Sequence, residues 1–388
     1  MLTICSPQLS IAHDAHLGGA VTDREFLCHL AKRGYHIKVL LPEGESYKSA
    51  DNVEIIFLKR NMLLDHSYTA NFFFLKTLDR VLSEGRVDIL RVHSPYSIGI
   101  GASLLKTFRR EMPPLWFSFL HLEKRWDWHI LDKTLPFFAD GITALSEDTM
   151  GDLRRRFPYL DKKITRVTPL GIDTDVFFRI ENPVLHELNG IDTAKPIVLF
   201  VGSLIKRKGV DLLLESWPKI KTICPDAQLV IVGQGPSEFM ITEYLDRYPD
   251  MYHVRFLTQE RLVHYYSTAS VFAFPSRKEG FGMVVGEAMS CGVPVVAFRT
   301  HGVQRLVEDG RSGYMVDPED VDVFAEKVGH LIRHPEDAIQ MGNRARRRIA
   351  KEFSWDVTIL EVEQFMTQLL ARRRYRSSQS QKAYSAAP

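Results

Sequence analysis

Two glutamates carry the strongest chemical signal in the chain. In Pro275–Phe298, PSRKEGFGMVVGEAMSCGVPVVAF, Glu279 and Glu287 stand either side of a seven-residue spacer. Gly280 and Gly282 let the backbone between them approach a ligand closely and adopt angles that other residues resist. From Met283, the apolar residues Val284, Val285, Ala288 and Met289 follow the spacing of a helix packed on a sheet. A glycine turn feeding a helix leaves free N–H groups and a partial positive charge, which together make a ready anion site. Gly282, Met283 and Val284 sit where those N–H groups would be. Glu279 then stands at the mouth of the site and Glu287 lies further down the helix. One carboxylate beside a reacting group and a second accepting from ligand hydroxyls is a workable division of labour. An ordinary capped helix with two surface glutamates fits the same letters.

A second cluster lies upstream. Gly202-Ser203-Leu204-Ile205-Lys206-Arg207-Lys208-Gly209 follows the all-apolar IVLFV and leads into a helix over Val210–Trp217. Arg207 and Lys208 in a glycine-bracketed strand–helix turn suit a diphosphate, against the plainer reading of a solvated basic turn. Gly18-Gly19 follows the first strand, either for close backbone approach to a sugar or phosphate or as a tight turn into a helix over Val21–Arg33. His93, with Ser94, ends DILRV, and His121 follows LWFSF. One such histidine is most simply structural; two at successive strand ends weaken that reading. Ser146-Glu147 ends another strand and equally suits a helix cap.

The elements that would position these residues alternate. Leu2–Cys5, His36–Leu41, Val53–Leu58, Val87–Val92, Leu115–Phe119 and Gly141–Ala144 read as strands with helical patterns between them. The second half repeats the scheme with strands at IVLFVG, Gln228–Val232, His253–Leu257, Val271–Pro275 and VVAF, then a hairpin-like Gly313–Val316. Helices follow over Val321–His334 and Ala338–Ala350, and a last amphipathic helix carries Ile359, Val362, Phe365, Met366 and Leu369. Alternation of this kind implies parallel sheets covered on both faces, with ligands outside the carboxyl ends of the strands.

The motif E-G-F-G-x-x-x-x-E followed by A-x-x-x-G-x-P-V-V resembles the retaining nucleotide-sugar glycosyltransferases of family 4, which have the GT-B fold. The resemblance runs roughly from Ile4 to Leu370 and includes the segment Pro169-Leu170-Gly171-Ile172-Asp173. It implies two Rossmann-like α/β domains facing across a cleft, with the C-terminal helix returning to the first. The expected domains are 1–175 on the acceptor side, a linker at 176–195, a nucleotide-sugar domain at 196–352, the returning helix at 353–375 and a disordered tail at 376–388. By the same resemblance, Arg207 and Lys208 neutralise a leaving diphosphate and Gly282, Met283 and Val284 hold its oxygens. Glu287 accepts from the ribose, Glu279 meets the donor sugar, Gly18 and Gly19 line the cleft, and His121 faces the acceptor. Lys208, Glu279 and His121 are the expected catalytic set. No metal and no cofactor beyond the donor substrate is implied.

Three places depart from the family pattern. Ser203 stands where arginine is common. The loop from Phe256 to Leu262 is shorter than usual and lacks the customary glycine. In His301-Gly302-Val303-Gln304-Arg305 an arginine replaces a carboxylate, which fits either an anionic substrate or a surface ion pair.

Composition narrows the rest. A chain of 388 residues has material for two cores, and its net charge of +2 gives no global drive toward nucleic acid. Basic residues cluster at Arg154–Arg156, Arg344–Arg348 and Arg372–Arg376, as solvated helix faces or as a peripheral contact with an anionic membrane surface. The cysteines Cys5, Cys28, Cys224 and Cys291 are scattered in apolar contexts, as free thiols in a reducing compartment would be. With no signal-like start and no long apolar run, a cytoplasmic protein is expected. An inactive scaffold of the same fold, an epimerase and a phosphorylase are the other classes these letters admit; retention of Lys208, Glu279 and Glu287 together speaks against the scaffold.

Overall fold

Every strand pairing among the described residues is parallel, and strand composition gives the reason. Runs such as Ile197–Val201 and Val271–Phe274 are apolar on both faces, and they are buried throughout. Such strands are stable only with helices on either side. The computed structural model describes residues 1–7, 18–43, 51–58, 67–93, 99–109, 111–119, 137–185 and 190–385. The chain divides into two compact units, Met1–Leu170 with Thr358–Pro388, and Gly171–Val357.

The first unit contains β1 (Thr3–Pro7), α1 (Gly18–Lys32), β2 (His36–Pro42), β3 (Val53–Leu58), α2 (Ser67–Glu84), β4 (Ile89–His93), α3 (Gly99–Phe108), β5 (Leu115–Phe119), β6 (Gly141–Ala144), α4 (Glu147–Arg156) and β7 (Ile164–Val167). Its sheet runs β3-β2-β1-β4-β5-β6-β7. The central strands β1, β5 and β6 are buried along their length, while the edge strands β3 and β7 are partly exposed. Gly34, at φ 89°, ends α1 as its position predicts. Ser146 is a helix cap: its Oγ accepts from the Thr149 N–H at 3.1 Å.

The second unit contains β8 (Ile197–Val201), α5 (Val210–Ile223), β9 (Gln228–Val232), α6 (Phe239–Arg247), β10 (Met251–Val254), α7 (Gln259–Thr268), β11 (Val271–Phe274), α8 (Met283–Ser290), β12 (Val295–Phe298), α9 (His301–Leu306), β13 (Gly313–Val316), α10 (Val321–Arg333) and α11 (Pro335–Glu352). The order β10-β9-β8-β11-β12-β13 is that of a doubly wound nucleotide-binding sheet. In both sheets the strand order reverses beside the first strand, between β1 and β4 and between β8 and β11. In sheets of this kind ligands bind outside the carboxyl ends of the strands at such a reversal.

The last helix, α12 (Trp355–Ser385), contributes Thr358 onward to the first unit. Its predicted stripe, Ile359, Val362, Phe365, Met366 and Leu369, is fully buried. Phe365 packs tilted against Trp116, ring centres 5.3 Å apart, and Gly141 permits this because a Cβ there would lie 2.6 Å from the Phe365 ring. Burial of each such side chain is worth about 1.5–3 kcal/mol, which is ample reason for the helix to leave the unit where it begins. Ile172 and Ser354, which flank the two crossings of the chain, bridge side by side. Gly171 is required at that point, since a Cβ would meet the Trp355 ring at 2.3 Å.

Several local expectations are corrected. The helix α1 begins at Gly18, so Gly18, Gly19 and Ala20 open it rather than precede it. The helix α5 runs through Pro218 to Ile223, because Trp217 and Ile220 are buried and the core contact outweighs one lost hydrogen bond. The β10 strand covers Met251–Val254 rather than His253–Leu257. Gly313–Val316 is no hairpin arm: it pairs in parallel with β12, Val295 opposite Gly313. Helix α12 continues to Ser385, into the segment expected to be a disordered tail. The segment expected to be a linker is tied to the second unit, with Ile180 N–H donating to Ser267 Oγ at 2.9 Å and Ser290 Oγ to the Phe177 carbonyl at 2.5 Å. All four cysteines are free thiols, Cys28 half-buried and the others buried.

Candidate functional site

Glycine conformation brings the two loops at the second crevice together. After β8 the chain makes a short 3-10 turn over Lys206–Lys208 and enters Gly209 at φ 73°. A Cβ on Gly209 would stand 1.8 Å from the carbonyl oxygen of Pro275, in the loop after β11. Only glycine allows so close an approach. The two loops are then stitched: the Arg277 N–H and Ser276 Oγ both donate to the Arg207 carbonyl, at 2.9 and 3.1 Å. The Arg277 guanidinium forks onto Asp211 at 2.7 and 2.9 Å and also reaches Glu319 and the Lys206 carbonyl. These bonds hold Arg277 firmly protonated, those to Asp211 first. Burial acts to raise the Asp211 pKa, but Arg277 overrides it and the net shift is downward.

On this frame Lys208 Nζ donates to Glu279 Oε1 at 2.6 Å, and the Ser276 hydroxyl, shared with the Arg207 carbonyl, lies 2.8 Å from the same oxygen. Arg207 stands 3.5 Å from that oxygen while its guanidinium donates to the Lys278 carbonyl at 2.8 Å. Lys208 also lies 5.5 Å from the centre of the Phe274 ring. The Glu279 side chain is only 7% exposed, whereas Arg207 is 46% exposed and open to an incoming anion. Gly302 keeps α9 tight against this loop, since a Cβ there would be 2.6 Å from the Phe281 nitrogen.

The helix α8 starts at Gly282, at φ 88°, with no side-chain cap. The N–H groups of Val285 and Gly286 turn back to the Gly282 carbonyl at 2.9 and 3.1 Å. Those of Met283 and Val284 therefore remain as first-turn donors, where the helix carries about half a positive charge. Further along, Glu287 is buried, and Tyr266 donates its hydroxyl to Oε2 at 2.9 Å. Burial pushes the Glu287 carboxyl up to about 7, and the Tyr266 bond offsets part of that. The Tyr266 hydroxyl is pushed well above its ordinary range by its own burial and by Glu287.

Lys208 and Glu279 are thus in contact, with Arg207 beside them and Gly282, Met283 and Val284 opening the helix that follows. Glu287 has a separate, buried partner. Gly18 and Gly19 lie in the first unit at the start of α1; Ser94 and His121 lie outside the described residues. His93 ends β4, with Nδ1 3.0 Å from Asp23 Oδ1. Sequence reasoning missed Ser276, Arg277 and Tyr266. Ser276 and Arg277 lie inside the motif stretch, but the Arg207 carbonyl and the Asp211 carboxylate that they meet are 69 and 66 residues away, beyond any local pattern. The sequence also holds two D-x-D strings, Asp173-Thr174-Asp175 and Asp320-Val321-Asp322, and both serve local structure: Asp173 Oδ1 accepts from the Asp175 and Val176 N–H groups, and Asp320 caps α10.

Two doubly wound parallel sheets in one chain are the architecture of the GT-B class. Residues 18–176 match the family model described as Glycosyltransferase Family 4, and residues 182–348 match that described as Glycosyl transferases group 1. The chain belongs to the GT-B glycosyltransferases of the family 4 kind. Among curated relatives it is 34% identical to alpha-maltose-1-phosphate synthase of Mycolicibacterium smegmatis over 244 residues, 58% of this chain and 62% of that protein. It is 35% identical over 199 residues to that organism's GDP-mannose-dependent alpha-(1-6)-phosphatidylinositol monomannoside mannosyltransferase, 48% of this chain and 52% of the relative. These matches therefore span only part of the relatives' length. The capsular polysaccharide biosynthesis glycosyltransferase CapM of Staphylococcus aureus is 24% identical over 86% of this chain and 90% of its own. Sucrose-phosphate synthase from Thermosynechococcus elongatus shares the fold at a TM-score of 0.79, 21% identity, 96% of this chain and 100% of that one. The catalytic domain of starch synthase IV from Arabidopsis thaliana, bound to ADP and acarbose, does so at 0.75, with 16% identity, 96% of this chain and 99% of that one. Among the described residues, no helix is long and apolar enough to cross a membrane.

Proposed function

We propose that this protein transfers a sugar from a nucleoside-diphosphate sugar to a hydroxyl acceptor, with retention of anomeric configuration and without a metal ion. The observation that carries this reading is the contact of Lys208 with Glu279 at the strand-order reversal of the second sheet, followed directly by the uncapped start of α8. A diphosphate there meets Lys208, Arg207 and the N–H groups of Met283 and Val284. Those groups gain most when charge builds on the leaving oxygen, which is where they help the reaction. Glu287 offers its second oxygen to the ribose hydroxyls, and Glu279 turns to the donor sugar once the diphosphate competes for Lys208.

In the proposed step the bond from the anomeric carbon to the phosphate oxygen breaks, and the bond to the acceptor oxygen forms on the same face. The acceptor's proton passes to the departing diphosphate. His121 of the first unit serves the acceptor side, and Gly18 and Gly19 line the cleft against the donor.

The deciding measurement is a thermal-shift screen with UDP, GDP, ADP and their sugars, since a ligand that binds the folded chain raises its apparent stability. One base should stand out, and the corresponding nucleotide sugar should be turned over. His121→Ala should then cut turnover far more than nucleotide affinity. Binding without transfer to any acceptor or to water would instead mark the chain as an inactive scaffold. No stabilisation by any nucleotide would remove the donor site altogether.

A further inference from the structure

Two basic runs that are remote in sequence form one surface of the first unit. Arg372, on α12, donates from Nη2 to the Lys162 carbonyl at 2.6 Å, across 210 residues. That bond brings Arg372–Arg374 beside Lys162 and Lys163, which follow the last turn of α4 with Arg154–Arg156. Arg154 is tied to the same place, with Nη2 donating to Thr165 Oγ1 on β7 at 3.1 Å and Nε 3.9 Å from Asp161.

Strand direction places this surface. Helix α4 follows β6 and runs back, so its last turn lies at the amino ends of the strands, where Lys162 and Lys163 lead into β7. Helix α12 arrives there by running down β7: Arg166 donates to Glu361 and Gln364 at 2.5 and 2.9 Å before Arg372 meets Lys162. Ligands of such sheets bind outside the carboxyl ends. The basic surface is on the opposite edge, so the transfer reaction does not account for it.

Few carboxylates stand among these cations. Asp152 pairs with Arg155 and Asp161 lies near Arg154, yet Arg155 keeps 77% of its side chain exposed. The whole chain carries only +2, so positive charge is concentrated here rather than general. Apolar rings share the edge. Phe137 is 66% exposed; Lys163 donates to its carbonyl and holds Nζ 5.7 Å from its ring centre. Phe108, the last residue of α3, is 81% exposed, and Lys106 beside it donates to the Phe138 carbonyl at 2.8 Å.

We propose that this amino-end edge of the first sheet is a docking surface for an anionic lipid bilayer. The arginines and lysines meet lipid phosphates, while Phe108 and Phe137 enter the boundary between headgroups and acyl chains. The phenylalanines decide for lipid over a soluble polyanion, because a ring left in water gains by entering an apolar layer and a polyanion's charged backbone offers none. Docked this way, the chain keeps the carboxyl edge of the sheet turned toward solution. The inference does not rest on the proposed transfer reaction.

The test is co-sedimentation of the full chain with vesicles of phosphatidylcholine, alone or with an equal share of phosphatidylglycerol. Binding should need phosphatidylglycerol and weaken as salt rises, since salt screens exposed charge. Arg155→Glu combined with Lys162→Glu and Arg373→Glu should weaken it about a hundredfold. Phe108→Ser with Phe137→Ser should weaken it about tenfold and leave its salt dependence in place. Arg346→Glu with Arg347→Glu, on α11 of the second unit, should leave binding unchanged. Melting temperature and nucleotide affinity should match wild type in all three variants, and a failure of nucleotide binding in wild type would count against the transfer reaction alone. No binding to phosphatidylglycerol vesicles, equal binding to phosphatidylcholine alone, or an equal loss in the α11 variant would overturn the proposal. A chain that bound RNA and not the vesicles would carry a nucleic-acid surface, and the proposal would fall.

Discussion

Lys208 Nζ and Glu279 Oε1 lie 2.6 Å apart although 71 residues separate them, and the carboxylate they share with Ser276 is almost wholly enclosed. In the absence of a ligand, the cation proposed to meet the diphosphate is thus held by the carboxylate proposed to meet the sugar. Each keeps the other in place.

Lys208→Ala should therefore affect both binding and stability. We expect affinity for the preferred nucleoside diphosphate to fall by roughly 1.5–3 kcal/mol, the worth of a charge-assisted contact, with a smaller loss for the monophosphate. The melting temperature should fall as well, because Glu279 is left buried with less compensation. Calorimetric titration of both nucleotides into wild type and variant checks this. Equal losses for the two nucleotides would remove Lys208 from the diphosphate.

Glu287 makes a pH prediction with a definite sign. Its carboxyl is raised by burial from an ordinary 4.5 to about 7, so the folded state favours the neutral form. The stabilising contribution is complete below pH 4.5 and is lost as the pH rises through about 7. Replacing it in Glu287→Gln should flatten that part of the stability–pH curve, measured by urea unfolding at a series of pH values. Glu287→Ala should separately weaken nucleotide binding by roughly 1.5–3 kcal/mol if ribose hydroxyls bond to the carboxylate. Unchanged affinity would take Glu287 out of the site.

The loop contact at Gly209 predicts a contrast between two glycines. Both Gly209 and Gly190 have positive φ, at 73° and 84°, but only Gly209 meets backbone at Cβ distance. Gly190→Ala should cost about 1–2 kcal/mol, the left-handed penalty alone. Gly209→Ala should cost more, on the order of 3 kcal/mol or above, and should also lower nucleotide affinity by parting the two loops. Similar unfolding free energies for both variants would show that the loops yield without consequence.

Transfer is expected to survive treatment with EDTA and to gain nothing from added magnesium or manganese. The positive charge of Arg207, Lys208 and the start of α8 roughly balances a sugar diphosphate, and the D-x-D aspartates are engaged in a turn and a helix cap. Initial rates with and without chelator decide it. Activity lost in EDTA and restored by either ion would refute metal independence.

Much of this protein was written locally. Alternating apolar runs and helical patterns named the parallel strands, because a strand buried on both faces must be apolar at every position. The glycines at 209 and 282 and the glutamates at 279 and 287 announced a strand–turn–helix site, because backbone angles and helix ends are properties of a few consecutive residues. The structure decided what each side chain meets. Tertiary burial carried α5 through Pro218, made Gly313–Val316 a parallel strand rather than a hairpin arm, and set Tyr266 against Glu287. It also joined Asp23 to Arg91 and His93 across 68 residues and more. Such pairings follow from strand order and register, which depend on how whole sheets assemble, and no spacing within a segment encodes them.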